Sequence, residues 1–153
     1  MADVGELAPD FELPDQEEQR VKLSSFRDER VVVLYFYPKD FTPGCTAEAC
    51  EFRDSYSDFT DAGAIVLGVS ADRAETHQGF ADKHRLPFRL LTDRGGALAR
   101  QYGVKRTLGL IAGRETFVID KKGRIRHRFA SQLFATKHVA EALRIVKQLQ
   151  DES

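Results

Sequence analysis

Val31-Val32-Val33-Leu34-Tyr35-Phe36-Tyr37 is an unbroken run of β-branched, aliphatic and aromatic residues, and Pro38 stops it. A run with no polar alternation predicts a strand covered on both faces, as in the middle of a parallel sheet. Ala64 to Ser70 repeats the pattern. Shorter strands are predicted at Phe88 to Leu91, Glu115 to Asp120 and Arg124 to Phe129, the last two joined by a Lys121-Lys122-Gly123 turn. Near the start, Phe11, Leu13, Val21 and Leu23 flank a polar stretch and predict a β-hairpin, with Ser24 to Asp28 as a turn.

Helical spacing lies between the strands. After Pro43, the residues Cys45, Ala49, Phe52, Tyr56 and Phe59 step by four, three, four and three, which is one helical face. Thr42 is positioned as an N-cap, Pro43 as the first helical residue, and Gly63 as the stop. Further helices are predicted over Arg73 to His84, Ala97 to Tyr102 and Lys137 to Gln150, with a loop through Gly103 and Gly109 to Gly113. Strands alternating with helices and closed by a hairpin predict an α/β fold with a mixed sheet. No repeat or linker divides the chain, so residues 1–153 are expected to form one domain.

Composition adds little to this picture. Hydrophobic residues make up 42% and charged residues 31%, and the net charge is −1. Neither nucleic acid nor a membrane surface is implied as a partner. No apolar run is long enough to span a bilayer, and the acidic start lacks the pattern of a signal peptide. The expected location is cytoplasmic, where a stable structural disulfide is unexpected and the two cysteines are redox-active, metal-binding or inert.

Those two cysteines, Cys45 and Cys50, both fall in the predicted helix after Pro43. A free thiol has a pKa of about 8.5, and unpaired N–H groups at a helix N-terminus favour its anion. A pKa of roughly 6 would leave about 90% as thiolate at neutral pH. An arginine nearby would add a charge that cannot be lost. Pro43 stiffens the turn, and Gly44 allows close approach of backbone to substrate. Five helical residues separate the two Cα atoms by roughly 8–9 Å, beyond the limit of ~7 Å for a disulfide. A bond between the two would therefore require the helix to open. His77, His84, His127 and His138 show no metal-site spacing and are expected at the surface or in packing, so no metal is assigned. Arg124, Arg126 and Arg128 alternate along one strand and are expected to form a solvated edge.

The segment Tyr37-Pro38-Lys39-Asp40-Phe41-Thr42-Pro43-Gly44-Cys45-Thr46-Ala47-Glu48-Ala49-Cys50 resembles the active-site segment of the peroxiredoxins. It is most similar to the bacterioferritin comigratory protein or peroxiredoxin Q branch. The likeness extends from Gly5-Glu6-Leu7-Ala8-Pro9-Asp10-Phe11 to Arg114-Glu115-Thr116-Phe117-Val118-Ile119-Asp120. It implies a thioredoxin-like fold with an N-terminal extension, and reduction of hydrogen peroxide and organic hydroperoxides with neither metal nor flavin as cofactor. By position it makes Cys45 the peroxidatic and Cys50 the resolving cysteine. Thr42 would hydrogen-bond the thiolate and the peroxide, and Arg114 would orient the peroxide. Pro38 and Pro43 would shape the pocket, and Glu48 would support it from the helix; apart from the resemblance, Gly44 is placed beside the substrate, and Tyr37 is read mostly as core, with the pocket mouth as the alternative. A thioredoxin-type protein would be the reductant, and the chain is expected to act as a monomer. Residues 105–112 depart from the commonest bacterial form, and Leu108-Gly109-Leu110 with Ser131-Gln132-Leu133-Phe134 are more similar to plastid and cyanobacterial members. Two other classes compete: a thiol–disulfide oxidoreductase, against which the cysteine spacing speaks, and a non-catalytic redox sensor or chaperone that exposes Phe52 and Tyr56 on oxidation.

Overall fold

A computed structural model describes residues 2–105, 113–131 and 135–152. The loop residues 106–112, with Leu108, Gly109 and Leu110, and Gln132, Leu133 and Phe134 lie outside the described residues.

The run after Arg30 becomes the central strand β3 (Val31–Phe36), and all six of its residues are buried. It pairs in parallel with β4 (Ala64–Ser70) and antiparallel with β6 (Glu115–Ile119). β5 (Arg89–Thr92) lies beyond β4, and β7 (Ile125–Ala130) lies beyond β6, giving the order β5-β4-β3-β6-β7. The sheet is mixed because β6 runs against β3, β4 and β5, and β7 turns back against β6. The expected N-terminal hairpin is a separate two-stranded sheet of β1 (Glu12–Pro14) and β2 (Arg20–Lys22). A short 3-10 turn over Leu23–Phe26 follows it.

Strand side chains alternate, so β3 feeds two cores. Val31, Val33 and Tyr35 face α1 (Pro43–Asp54), α2 (Tyr56–Asp61), α3 (Ala74–His84) and α5 (Lys137–Glu152). Val32, Leu34 and Phe36 face the N-terminal segment, α4 (Ala97–Gln101) and Tyr102. The stripe expected on the helix after Pro43 is real: Cys45, Ala49, Phe52 and Phe59 are buried, and Tyr56 packs at the edge of the same core. Phe52 stacks on Tyr35 with ring centroids 4.6 Å apart.

That helix does not run unbroken to Gly63. It breaks at Ser55 (φ −100°, ψ 3°), and α2 resumes one residue later. Buried residues of one core lie on both sides of the break, Phe52 before it and Phe59 after it. The arginine strand also differs from a solvated edge. Arg126 bridges Asp120 and Glu152, and Arg128 donates to Glu115 and lies over the Phe117 ring, while Arg124 remains exposed.

Candidate active site

Pro38 ends β3, and the chain turns through Lys39 and Asp40 before α1 starts at Pro43. Phe41 holds this turn with a positive φ of 65°, a conformation that costs a bulky residue free energy. Its ring packs edge-on against Phe80. The turn is anchored from inside. The buried Tyr37 hydroxyl donates to Asp40 Oδ1 at 2.5 Å, and His77 Nδ1 meets Asp40 Oδ2 at 2.6 Å. His77 Nε2 faces the Leu91 carbonyl at 3.1 Å, so both ring nitrogens face acceptors. The Asp40 amide donates to Asp72 Oδ2, which also accepts from Ser70. Asp40, Asp72 and His77 thus bring ligand-type atoms within 4.8 Å of one another. Those atoms are occupied by hydrogen bonds that pin the turn to β4, α3 and β5.

Tyr37 was expected mostly in the core, with the pocket mouth as the alternative, and it is buried there: its ring stacks on Tyr35, and its hydroxyl is committed to Asp40. Burial raises its pKa well above the ordinary phenol value, so it stays a neutral donor. Thr42 takes the N-cap position, but its side chain does not cap. The hydroxyl donates to the Lys39 carbonyl at 2.8 Å, and the Thr42 carbonyl accepts from Thr46. Donation from this hydroxyl to the sulfur or to a peroxide oxygen would require it to leave Lys39. Pro43 opens the helix as expected and is exposed, and Pro38 is half-buried.

Cys45 and Cys50 are both free thiols in the intact helix α1. Cys45 is 1% exposed. Arg114, at the mouth of β6, sends Nη2 to Cys45 Sγ at 3.2 Å and Nη1 to Glu48 Oε1 at 2.5 Å. The guanidinium is therefore shared between one sulfur and one carboxylate a helical turn apart. Burial works against its charge, yet Glu48 and Cys45 outweigh burial and hold the Arg114 pKa above its ordinary value. Gly44 has a specific place in this arrangement. A Cβ there would sit 3.2 Å from Arg114 Nη2, so the missing side chain admits the guanidinium, not only a substrate.

Glu48 is fully buried. Burial pushes its pKa up to about 8, against the pull of Arg114. Behind it sits His138, also fully buried, near the start of α5. Its Nε2 donates to the Ser131 carbonyl at 2.9 Å, and its Nδ1 accepts from the Thr116 hydroxyl at 2.8 Å. Burial, aided by the Arg114 charge, lowers its pKa to about 4, so the ring is neutral at pH 7. The 3.7 Å approach of Nδ1 to Glu48 Oε2 is then a packing contact, not an ion pair. Cys50 points the other way, toward α3, with Sγ 3.8 Å from His84 Nδ1.

The sequence thus located Cys45, Arg114, Glu48 and Gly44 as a group, and the fold joins them. It placed the histidines at the surface or in packing, whereas His77 and His138 are buried in polar networks on either side of the site. Their partners lie 37 and 22 residues away, distances at which no local spacing rule operates.

The profile of the AhpC/TSA family matches residues 4–128. A chloroplastic peroxiredoxin Q of Triticum aestivum is 47% identical over 146 residues, spanning 95% of this chain and 67% of the relative. That of Sedum lineare is equally identical and is covered over 78% of its length. Among solved structures, peroxidoxin BcpB of Mycobacterium tuberculosis superposes with a TM-score of 0.89 at 38% identity, covering 97% of this chain and 99% of the other. The bacterioferritin comigratory protein of Xanthomonas campestris, solved in work on its alkyl peroxide reduction activity, gives 0.85 at 30% identity, with coverage of 97% and 99%. The buried cysteine at a helix N-terminus, the arginine upon it and these likenesses together place the chain in the AhpC/TSA family, among the thiol peroxidases of the peroxiredoxin Q or bacterioferritin comigratory branch.

Proposed function

We propose that Cys45 is the nucleophile that reduces hydrogen peroxide and organic hydroperoxides, and that Cys50 then resolves it. The observation that carries this reading is Arg114 Nη2 lying 3.2 Å from Cys45 Sγ. Thiolate sulfur attacks one peroxide oxygen in line, the O–O bond breaks, and the other oxygen leaves with the negative charge. A fixed guanidinium beside the sulfur favours the charged nucleophile and the charge that builds on the leaving oxygen. Unpaired N–H groups at the start of α1 act in the same direction. Glu48 acts as a positioning residue, because its 2.5 Å hydrogen bond fixes the angle at which Arg114 meets the sulfur. The Thr42 hydroxyl joins the reacting oxygens once it gives up Lys39, and Pro38 and Pro43 shape the rim. Tyr37 acts through Asp40, by holding the turn.

The product is a sulfenic acid on Cys45, the reversible first rung of thiol oxidation. Cys50 condenses with it to an intramolecular disulfide, which a thioredoxin-type dithiol reduces. Both cysteines lie in one intact helix, so this step requires α1 to unwind. The chemistry needs a compartment that supplies such a reductant. A cytoplasmic location meets that need, and so does the plastid named for the plant relatives. Among the described residues no helix is long and apolar enough to cross a membrane. Monomeric action is part of this reading; among the described residues the large exposed hydrophobics are Val4, Leu7 and Phe41.

Stopped-flow oxidation of the reduced protein, followed by mass spectrometry, tests the cycle. The expected result is fast loss of one thiol, then a Cys45–Cys50 disulfide. Cys45→Ser abolishes peroxide consumption. Cys50→Ser keeps the first oxidation but blocks turnover with thioredoxin. Normal steady-state activity in Cys45→Ser would overturn the assignment.

A further inference from the structure

We propose that His84 is the general base for the resolving step, taking the proton from Cys50 as its sulfur attacks the oxidised Cys45. The proposal rests on the reading of Cys50 as the resolving cysteine. Cys50 Sγ lies 3.8 Å from His84 Nδ1, within hydrogen-bond reach for a sulfur donor. Among the described residues this is the only group in hydrogen-bond distance of that sulfur. The histidine is held in place. Its ring packs edge-on against Phe80 with centroids 5.1 Å apart, and Arg53 Nη1 donates to its carbonyl at 2.8 Å. Arg53 sits on the same helix as Cys50, so one clamp sets the distance between thiol and base. Both Cys50 and His84 are half-buried, so solvent protons can equilibrate with the imidazole.

The geometry also says which half of α1 opens. The half carrying Cys50 is tied to α3 through Arg53, and Ala49 and Phe52 are sealed in the core. The first turn, from Pro43 to Thr46, has Pro43 exposed and Gly44 and Thr46 half-buried. Unwinding that turn brings Cys45 toward a Cys50 that remains beside its base.

The step balances without an external oxidant. The Cys50 S–H proton passes to His84 Nδ1. The freed electron pair forms the S–S bond, and the Cys45 S–O bond breaks. The departing hydroxide takes up a proton and leaves as water. Sulfenic acid plus thiol gives disulfide plus water. Histidine suits the task because it exchanges protons near neutral pH. The charged groups around it are Arg53, paired with Asp54, from α1, and Lys83 and Arg85 beside it in its own segment.

Rapid-mixing oxidation with hydrogen peroxide separates the two steps in wild type, His84→Gln and His84→Ala. The expected result is an unchanged first oxidation and disulfide formation slowed about tenfold or more at pH 7 in both variants, with the rise of that step through neutral pH lost. Added imidazole should restore the rate in His84→Ala, which a purely structural role would not allow. In a Cys45→Ser background, iodoacetamide should alkylate Cys50 more slowly once His84 is Gln, a reading independent of helix opening. Equal rates and equal pH profiles in wild type and both variants would overturn the role of His84 alone. A wild-type protein that forms no Cys45–Cys50 disulfide would overturn it together with the resolving role of Cys50.

Discussion

Replacing Gly44 by Ala should separate stability from activity. The new Cβ would lie 3.2 Å from Arg114 Nη2, the nitrogen that meets Cys45, so one of them must yield by a few tenths of an ångström. The Arg114 side chain is the softer of the two, yet Glu48 restrains it at 2.5 Å. If Nη2 retreats from 3.2 Å to about 3.6 Å from the sulfur, the Coulomb attraction at an effective dielectric of about 20 weakens by about 0.6 kcal/mol, roughly threefold in rate. Loss of hydrogen-bond direction adds to this, and a charge-assisted bond is worth about 1.5–3 kcal/mol in all. The oxidation rate of Cys45 should therefore fall between about threefold and a hundredfold. Stability should change less than activity, because alanine's helix propensity, better than glycine's by up to ~1 kcal/mol, offsets part of the cost of moving Arg114. Stopped-flow oxidation measures the first effect and thermal unfolding the second. A Gly44→Ala protein that reacts with peroxide as fast as wild type would refute the view that Gly44 is there to admit Arg114.

Three further outcomes are expected. Glu48 has its folded pKa raised from 4.5 to about 8, so the folded state holds a proton that the unfolded chain releases; that stability is present below about pH 4.5 and is lost as the pH rises toward 8. Denaturant unfolding across this window should show wild type losing more stability than Glu48→Gln, and parallel curves would contradict it. His138 has the opposite sign: its folded pKa is lowered from 6.5 to about 4, so its contribution is complete above about pH 6.5 and fades as the pH falls toward 4, a loss that His138→Gln should remove from the acid limb. Asp40→Ala leaves His77 and the Tyr37 hydroxyl without their shared partner and should cost roughly 3 kcal/mol or more in chemical denaturation; a change under 1 kcal/mol would mean that the network does not hold the turn.

Much of this protein was determined by local sequence. A short, unbroken run of β-branched and aromatic residues with a proline after it fits a strand with two covered faces, and Val31 to Phe36 is one. Pro43 and Gly63 mark where helical structure begins and ends, because one lacks an N–H and the other tolerates a positive φ of 82°. The site's cysteine, arginine and glutamate were legible from side-chain chemistry and family likeness. Tertiary structure alone decided which partner each group meets. Gly44 faces Arg114, which stands just before β6 in a distant part of the chain, the Thr42 hydroxyl goes to Lys39 and leaves the helix without a side-chain cap, and Tyr37 turns inward to Asp40. His77, His84 and His138 carried no spacing signal, because their partners Asp40, Cys50 and Thr116 lie far off in the chain. Periodicity encodes which face of an element is apolar. It does not encode which elements the sheet brings together, and buried polar pairs are made at those junctions.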